Sequence, residues 1–137
     1  MTCSVMRLNP AFLDREWPKV AEFLTNGLMS CEGEITVDQL RMLCAKGMAE
    51  VYVAMKDEKV IGAAAVEAII YPNFRVANVI SAGGRGIYNK DFWPLFMNWL
   101  RDQGYSKVQG YCPPAVARLL RKIEGFRTAY ELVRADL

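Results

Sequence analysis

The chain has 137 residues, of which 53% are hydrophobic and 11% aromatic, and its formal net charge is +2. This length fits one domain, over residues 1–137, with a substantial core, and the composition excludes intrinsic disorder, a fibrous repeat and a small disulfide-stapled protein. The absence of histidine excludes Ser-His and Cys-His nucleophile pairs, histidine metal ligands and a histidine general base, and we expect no metal site.

The N-terminal part predicts one short strand and then helix. Residues 3–8 fit a strand, and Asn9 followed by Pro10 indicates a helix start, since proline is tolerated at the first helical position. The pair Trp17-Pro18 predicts an interruption of that helix. A second start then gives an apolar stripe at helical spacing over residues 20–28.

A second helix and three strands follow. Thr36 and Gln39 have the spacing of a capping box, and Gly47 is placed to end the helix that the box begins. Apolar runs separated by polar turns then predict an antiparallel meander of three strands, over residues 51–55, 60–70 and 74–81.

The C-terminal half alternates helix and strand. The glycine-rich residues 83–86 lead into an aromatic helix at 92–103, which is followed by a strand at 107–112. A helix at 116–123 and a closing strand at 126–135 complete the chain. The predicted order is β-α-α-β-β-β-α-β-α-β, an α/β fold whose mixed, twisted sheet is flanked by helices.

The cysteines and the absence of targeting signals suggest a reducing compartment. Cys3, Cys31, Cys44 and Cys112 include no close pair that would begin a zinc site, and we predict free, mostly buried thiols, Cys112 among them. We see no secretory signal and no apolar run of about 20 residues that would cross a bilayer. We therefore expect a cytoplasmic protein.

The element order resembles the GCN5-related N-acetyltransferase (GNAT) fold, together with residues 79–87 before the helix at 92–103 and the pair Gly125-Phe126 after the last helix. This resemblance covers nearly the whole chain. Residues 77–137 are also similar to small GNAT-like proteins encoded among the head and tail genes of bacteriophages. The resemblance implies acetyl-CoA as the cofactor if the protein is an enzyme.

In that family, backbone amides of an Arg/Gln-x-x-Gly-x-Gly/Ala turn hold the pyrophosphate of acyl-CoA at a helix N-terminus. The matching stretch here contains Gly83, Gly84, Arg85 and Gly86, but its glycines do not have that spacing. The resemblance places cofactor binding on these four residues, where Arg85 and Lys90 would attract an anion. A tight turn between a strand and a helix explains the same glycines without a ligand.

The resemblance also implies a proton acceptor and a proton donor. Glu67 lies in an otherwise apolar strand and is the candidate base, although a strand with one solvent face presents a glutamate to water without any function. A tyrosine that protonates the leaving thiolate is expected four residues before Gly125, where this chain has Arg121. Tyr88, Tyr111 and Tyr130 are the other tyrosines that we consider for that role.

Two further features concern anion binding. Asn89 and Asp91 are predicted to cap the aromatic helix, and a capping side chain engages amides that a phosphate would need. The exposed spacing of Arg118, Arg121 and Lys122 fits a CoA 3′-phosphate, a nucleic acid backbone, an acidic partner or simply a solvated helix face. No exposed aromatic residues are interleaved with them, so we do not expect nucleic acid binding.

Two functions follow. Because the glycine turn is altered and Arg121 replaces tyrosine, we predict a phage-type GNAT-like virion structural or assembly component with a degenerate acyl-CoA site and no required cofactor. Its partners would be other phage structural or assembly proteins or a second copy of the chain, in the host cytosol or the virion and away from membranes. The alternative is an active N-acetyltransferase that transfers acetyl from acetyl-CoA to an amine, with Glu67 or a relayed water as base.

Overall fold

The described part of the chain forms a five-stranded sheet with helices on both faces. The computed structural model describes residues 3–123 and 125–137, apart from the side chain of Tyr88. The strands are β1 (Ser4–Arg7), β2 (Glu50–Lys56), β3 (Lys59–Ile70), β4 (Arg75–Gly83) and β5 (Lys107–Gly110). The helices are α1 (Leu13–Leu28), α2 (Val37–Ala45), α3 (Phe92–Asp102) and α4 (Pro114–Leu120), with 3₁₀ turns at Pro10–Phe12 and Arg85–Tyr88.

The strands lie in the sheet in chain order, β1-β2-β3-β4-β5. β1 to β4 pair antiparallel, and β4 pairs with β5 in parallel. Asp57 and Glu58, with φ of 53° and 63°, form the two-residue turn between β2 and β3, where left-handed residues match the twist of the hairpin. The predicted antiparallel meander and the parallel pair after it are confirmed, and so is the fold class.

Alternating side chains of the sheet supply two cores. On one face Tyr52, Ala64, Val66 and Ala77 pack with Phe92, Phe96 and Leu100 of α3. On the other face Val51, Val53, Ala63 and Ala65 pack with Trp17, Val20, Leu24 and Leu40 of α1 and α2. This alternation is the period-two pattern of strands that are covered on both faces.

The first helix differs from its prediction. Asn9 caps the 3₁₀ turn as expected, since its Oδ1 accepts from the Ala11 amide at 3.0 Å. α1, however, continues through Pro18 without an interruption. Leu13 and Trp17, which precede the proline, are both buried against the sheet, and this packing outweighs the hydrogen bond that proline removes.

The other helix signals are confirmed. The Gln39 amide donates to Thr36 Oγ1 at 3.2 Å while the Thr36 amide donates to Gln39 Oε1 at 2.9 Å, which completes the capping box at the start of α2. Gly47, two residues after α2, has φ of 74° and so takes a conformation that glycine favours.

The closing strand predicted over residues 126–135 is wrong. These residues form no strand in the described structure, and the observed order ends with α4. Tyr130 and Val133 are 91% and 88% exposed, so the β-forming side chains gain no burial that would stabilise a sixth strand. Arg134 instead forms exposed ion pairs with Glu32 and Glu34, at 3.0 and 3.1 Å.

Candidate functional site

The parallel strands β4 and β5 separate part-way along their length. Their pairing runs from Val76 opposite Lys107 to Val79 opposite Gly110, whereas β4 continues to Gly83. The register of β4 with β3 also shifts here, because Val66 pairs with Val79 but Ala65 pairs with Ser81. Ile80 is therefore the extra residue of a bulge, which bends β4 at the point where β5 leaves it. We call this opening between the two strands the fork.

A row of three polar side chains crosses the sheet next to the fork. Glu67, Asn78 and Gln109 occupy paired positions on β3, β4 and β5. Asn78 Nδ2 donates to Glu67 Oε1 at 3.1 Å, and Gln109 Nε2 donates to Asn78 Oδ1 at 3.4 Å. The row lies one residue before the last parallel pair, so it marks the closed end of the fork.

The row is on the α1 and α2 face of the sheet, beyond the end of α1. Ala77 and Val79 point into the α3 core, so Asn78 between them points to the opposite face. The α1 residue Gly27 lies against Ser81 and Ala82, three to four residues further along β4, or roughly 10 Å from Asn78. Because α1 ends at Leu28, the row is not covered by that helix.

The glycine turn at the other end of the fork is packed tightly against α1 and β3. A Cβ on Gly83 would overlap the Phe23 carbonyl, and a Cβ on Gly84 would lie 2.5 Å from the Ile61 carbonyl oxygen and 2.7 Å from Gly62 Cα. Gly84 also has φ of 94°. Close backbone packing and the left-handed conformation of Gly84 therefore require glycine at these positions. This agrees with the alternative raised by the sequence, a tight turn that needs no ligand.

Two amides of the turn are nevertheless unpaired within the described residues, although Gly86 itself is buried. No hydrogen bond in the described part of the chain engages the backbone amide of Arg85 or Gly86, which are the first amides of the 3₁₀ turn. The Arg85 side chain is exposed. By contrast, Asn89 Oδ1 accepts from the Asp91 amide at 2.9 Å, but α3 begins at Phe92 with Asp91 at its N-cap position, so Asn89 does not cap α3 as predicted. The Asp91 side chain makes no such cap.

Neither of the candidate tyrosines whose side chains are described hydrogen-bonds to the row. Tyr111 follows β5 at the fork but is 65% exposed, and Tyr130 is 91% exposed. The Tyr88 side chain lies outside the described part of the structure. Arg121, at the position where the resemblance implies tyrosine, is exposed and donates to Thr128 Oγ1 at 2.8 Å.

The cysteines are free, as predicted, but not all are buried. Cys3 and Cys44 are buried, Cys31 is half-buried and Cys112, next to the fork, is exposed. The prediction of a buried Cys112 is therefore wrong, because the chain leaves the sheet at Gly110, before this residue. Burial raises the pKa of the Cys44 thiol to about 11, which makes it a poor nucleophile.

Two other hollows are too small for a substrate. One, lined by Met97, Leu100, Tyr105 and Val108, has a volume of about 120 Å³, and one lined by Leu8, Leu13 and Val51 has about 10 Å³. Small-molecule sites typically have about 300–1,000 Å³. Val79, Ile80 and Ala82 at the fork are instead half-buried residues that solvent reaches. The fork is therefore the better candidate.

Two kinds of feature are absent from the residues that the structure describes. No group of three or more Cys, Asp or Glu side chains is arranged to hold a metal ion. No helix in residues 3–123 or 125–137 has the length and apolar character to cross a membrane.

The fold and the fork can be compared with solved structures. An aminoglycoside acetyltransferase from an uncultured soil metagenomic sample, in complex with sisomicin, superposes with a TM-score of 0.68 at 14% identity, over 98% of this chain and 94% of that one. A ribosomal-protein-alanine N-acetyltransferase from Brucella melitensis biovar Abortus 2308 gives 0.65 at 14% identity, over 99% and 98%. The chain has the GNAT fold.

A third GNAT structure carries a ligand. It is a predicted acetyltransferase from Clostridium acetobutylicum with acetyl-CoA, and it matches with a TM-score of 0.63 at 12% identity, over 98% of this chain and 96% of that one. No protein-family model matches the sequence, and no curated protein matches it significantly. At these identities the likeness concerns the fold, and fold alone does not fix function.

The structure places the predicted site residues at opposite ends of the fork. Glu67 lies at the closed end of the fork and the residues of the glycine turn lie at the far end of β4, about five residues or roughly 16 Å away along the strand. Sequence reasoning missed Asn78 and Gln109. The available signal was a polar side chain in an otherwise apolar strand, but only the pairing register places both residues beside Glu67.

Proposed function

We propose that the protein is an acetyl-CoA-dependent N-acetyltransferase. The observation that carries this proposal is the fork, where parallel pairing ends at Val79 and Gly110 while β4 continues for four residues to the glycine turn. This opening has, at one end, two amides that make no hydrogen bond within the described residues, and at the other end a carboxylate. The GNAT neighbours, which include acetyltransferases and one structure with acetyl-CoA, support the same reading.

The glycine turn would hold the pyrophosphate. The Arg85 and Gly86 amides supply two donors, and the exposed Arg85 guanidinium supplies a positive charge. These groups fit a pyrophosphate. The first turn of α3 fits less well, because the Phe92 amide already donates to the Asn89 carbonyl and Pro94 has no amide hydrogen. Arg85 and Gly86 of the 3₁₀ turn would therefore hold the pyrophosphate, and the residues of β4 between the turn and the polar row would line the pantetheine arm.

Glu67 would act as the proton acceptor. When bound, acetyl-CoA supplies a thioester whose C–S bond breaks as the N–C bond to the acceptor amine forms. Glu67 Oε2, which has no hydrogen-bond partner among the described residues of the row, would take the proton that the amine loses, directly or through one water. No ion pair within the described residues involves Glu67, so its carboxylate is not neutralised by a lysine or arginine. The leaving thiolate would take a proton from solvent, since Tyr111 beside the fork is exposed.

Calorimetric titration with acetyl-CoA tests cofactor binding. We expect micromolar affinity, and Arg85→Glu should weaken it at least tenfold because the substitution reverses the charge beside the pyrophosphate. Lys46→Glu is the matched control, because Lys46 is exposed after α2 and far from the fork in the fold. Absence of heat at millimolar acetyl-CoA would refute the proposal.

A glycine substitution is a poor test of the same site. A side chain on Gly84 would collide with the Ile61 carbonyl and would be strained at φ of 94°. Loss of binding in Gly84→Asp would therefore report a damaged fold as readily as a lost phosphate contact. Arg85 has an exposed side chain, so its substitution separates the two effects.

Acetyl transfer itself is tested with a panel of primary amines and detection of free CoA thiol. We expect Glu67→Gln to lower kcat by about 10²- to 10⁴-fold while acetyl-CoA affinity stays within a factor of two, as for loss of a general base. If Glu67→Gln is as active as the unmodified protein, Glu67 is not the base.

The virion or assembly role predicted from the sequence receives no support from the fold neighbours, and it stays a prediction. Copurification with capsid, portal or tail proteins from infected cells is its test. A protein that never enters particles or their precursors would contradict it.

A further inference from the structure

We propose that Asn78 is a positioning residue that fixes the Glu67 carboxylate at the closed end of the fork and is itself oriented by Gln109. This inference rests on the proposed function, since it assigns the residue that prepares Glu67 for its role there. The three side chains are in register on adjacent strands, so their spacing is set by the sheet and not by a loop.

The chemistry of the row determines which way the Asn78 amide points. A carboxylate accepts hydrogen bonds only, so the Asn78 group facing Glu67 Oε1 at 3.1 Å is its Nδ2 donor. The Oδ1 acceptor then faces Gln109, whose Nε2 lies 3.4 Å away. Asn78 thus occupies one carboxylate oxygen of Glu67 and leaves the other oxygen for a substrate.

Asn78 is unusual among the buried side chains. Within the described residues, the buried polar side chains are Asn78, which is 6% exposed, and Ser81, which is 3% exposed. Ser81 Oγ donates to the Leu24 carbonyl and so attaches α1 to β4. Asn78 makes no such link to a helix; its donor is directed to the half-buried Glu67 at the fork. A buried amide is costly unless it is hydrogen-bonded, and here the partner is the candidate base.

The first test measures the Glu67 carboxyl directly and needs no cofactor. Carbon-detected NMR follows its titration, with the signal assigned from Glu67→Gln. Asn78→Asp replaces the donor with a second carboxylate at the same position, so the two carboxyl groups should titrate as a coupled pair, with one midpoint raised by about one pH unit or more. Ser81→Ala is the matched control on the same strand and should leave the Glu67 midpoint unchanged. If both carboxyl groups of Asn78→Asp titrate independently, with neither midpoint raised, the proposal is overturned.

The second test is a double-mutant cycle on the acetylation rate. Asn78→Ala should lower kcat by about tenfold, the usual effect of losing a hydrogen bond to a charged group. The double variant Asn78→Ala, Glu67→Gln should be no slower than Glu67→Gln alone, because Asn78 acts through Glu67. Asn78→Asp should shift the acidic limb of the kcat/KM profile to higher pH. Full additivity of the two substitutions would overturn the positioning role.

These tests separate the inference from the proposed function. The proposed function fails if acetyl-CoA does not bind, as judged by calorimetry. The contact between Asn78 and Glu67 is judged by the NMR titration, which proceeds in the same protein whatever the calorimetry shows.

Discussion

Replacing Gly27 of α1 with alanine should change the stability of the protein through two effects of opposite sign, helix propensity and packing. Alanine is favoured over glycine inside a helix by about 1 kcal/mol, so helix propensity alone predicts a more stable protein. In the structure, however, Gly27 lies where α1 meets β4. An added Cβ would overlap Ser81 Oγ and would lie 2.7 Å from the Ala82 amide nitrogen and 2.8 Å from its carbonyl oxygen.

The packing effect should exceed the propensity effect. The Ser81 hydroxyl can rotate away, but the Ala82 atoms belong to the backbone of a central strand and cannot move without displacing β4. Forcing a methyl group into such a contact costs typically about 1–3 kcal/mol, and relief of a sub-3 Å backbone contact belongs to the upper part of this range. After subtraction of the helix gain, we expect a net loss of about 1–2 kcal/mol.

Urea unfolding followed by circular dichroism measures this loss. In thermal unfolding of the same proteins, a loss of about 1–2 kcal/mol should lower Tm by about 3–8 °C for a domain of this size. Asn26→Ala, at the exposed preceding position of α1, is the control and should be unchanged or slightly stabilised. Gly27→Ala in a Ser81→Ala background should remain destabilised, because the Ala82 backbone is still in place. A Gly27→Ala protein that is as stable as the unmodified one would refute this packing argument.

Three further outcomes follow from the structure. Ser81→Ala should lose about 1–3 kcal/mol of stability in the same unfolding assay, because the buried hydroxyl donates to the Leu24 carbonyl at 2.7 Å; an unchanged midpoint would contradict this. Iodoacetamide labelling of the native protein at pH 8, followed by mass spectrometry, should modify exposed Cys112 first and Cys44 last, since burial raises the Cys44 pKa to about 11; equal rates would contradict it. Because that pKa lies above its ordinary value of 9.0, the unfolded chain loses this proton first, so stability should fall between pH 9 and 11 by about 2 kcal/mol. Cys44→Val should remove that part of the slope.

Much of the fold was predictable because its signals are local. The Thr36 capping box, Gly47 and the aromatic stripe of α3 each depend on neighbouring residues, and the structure contains all of them. The wrong predictions concern segments whose secondary structure is determined by tertiary contacts. α1 passes through Pro18 because Trp17 is buried beside it. Residues 126–135 form no strand because, apart from Phe126, which packs against Trp93, their apolar side chains are exposed.

The candidate site was predictable only in part. Glu67 and the glycine turn can be recognised from their own sequence segments. Asn78 and Gln109 can be assigned to the site only once the register of β3, β4 and β5 places them beside Glu67. The packing of Gly83 and Gly84 against Phe23 and Ile61 was equally hidden, because those contacts join residues that are far apart in the chain. Local patterns therefore identify the elements, and long-range pairing identifies the site.

The short parallel pairing between β4 and β5 also has a consequence for the mechanics of the fold. β5 is attached to the sheet through four residue pairs, whereas β3 and β4 share eight, and most of the chain after β5 is exposed. The outer layer from residue 107 onward should therefore unfold locally at a lower free energy than the meander, with faster amide hydrogen exchange. The fork would then be a hinge between the rigid meander and the less stable outer layer. A ligand bound along β4 would slow amide hydrogen exchange mainly from residue 107 onward.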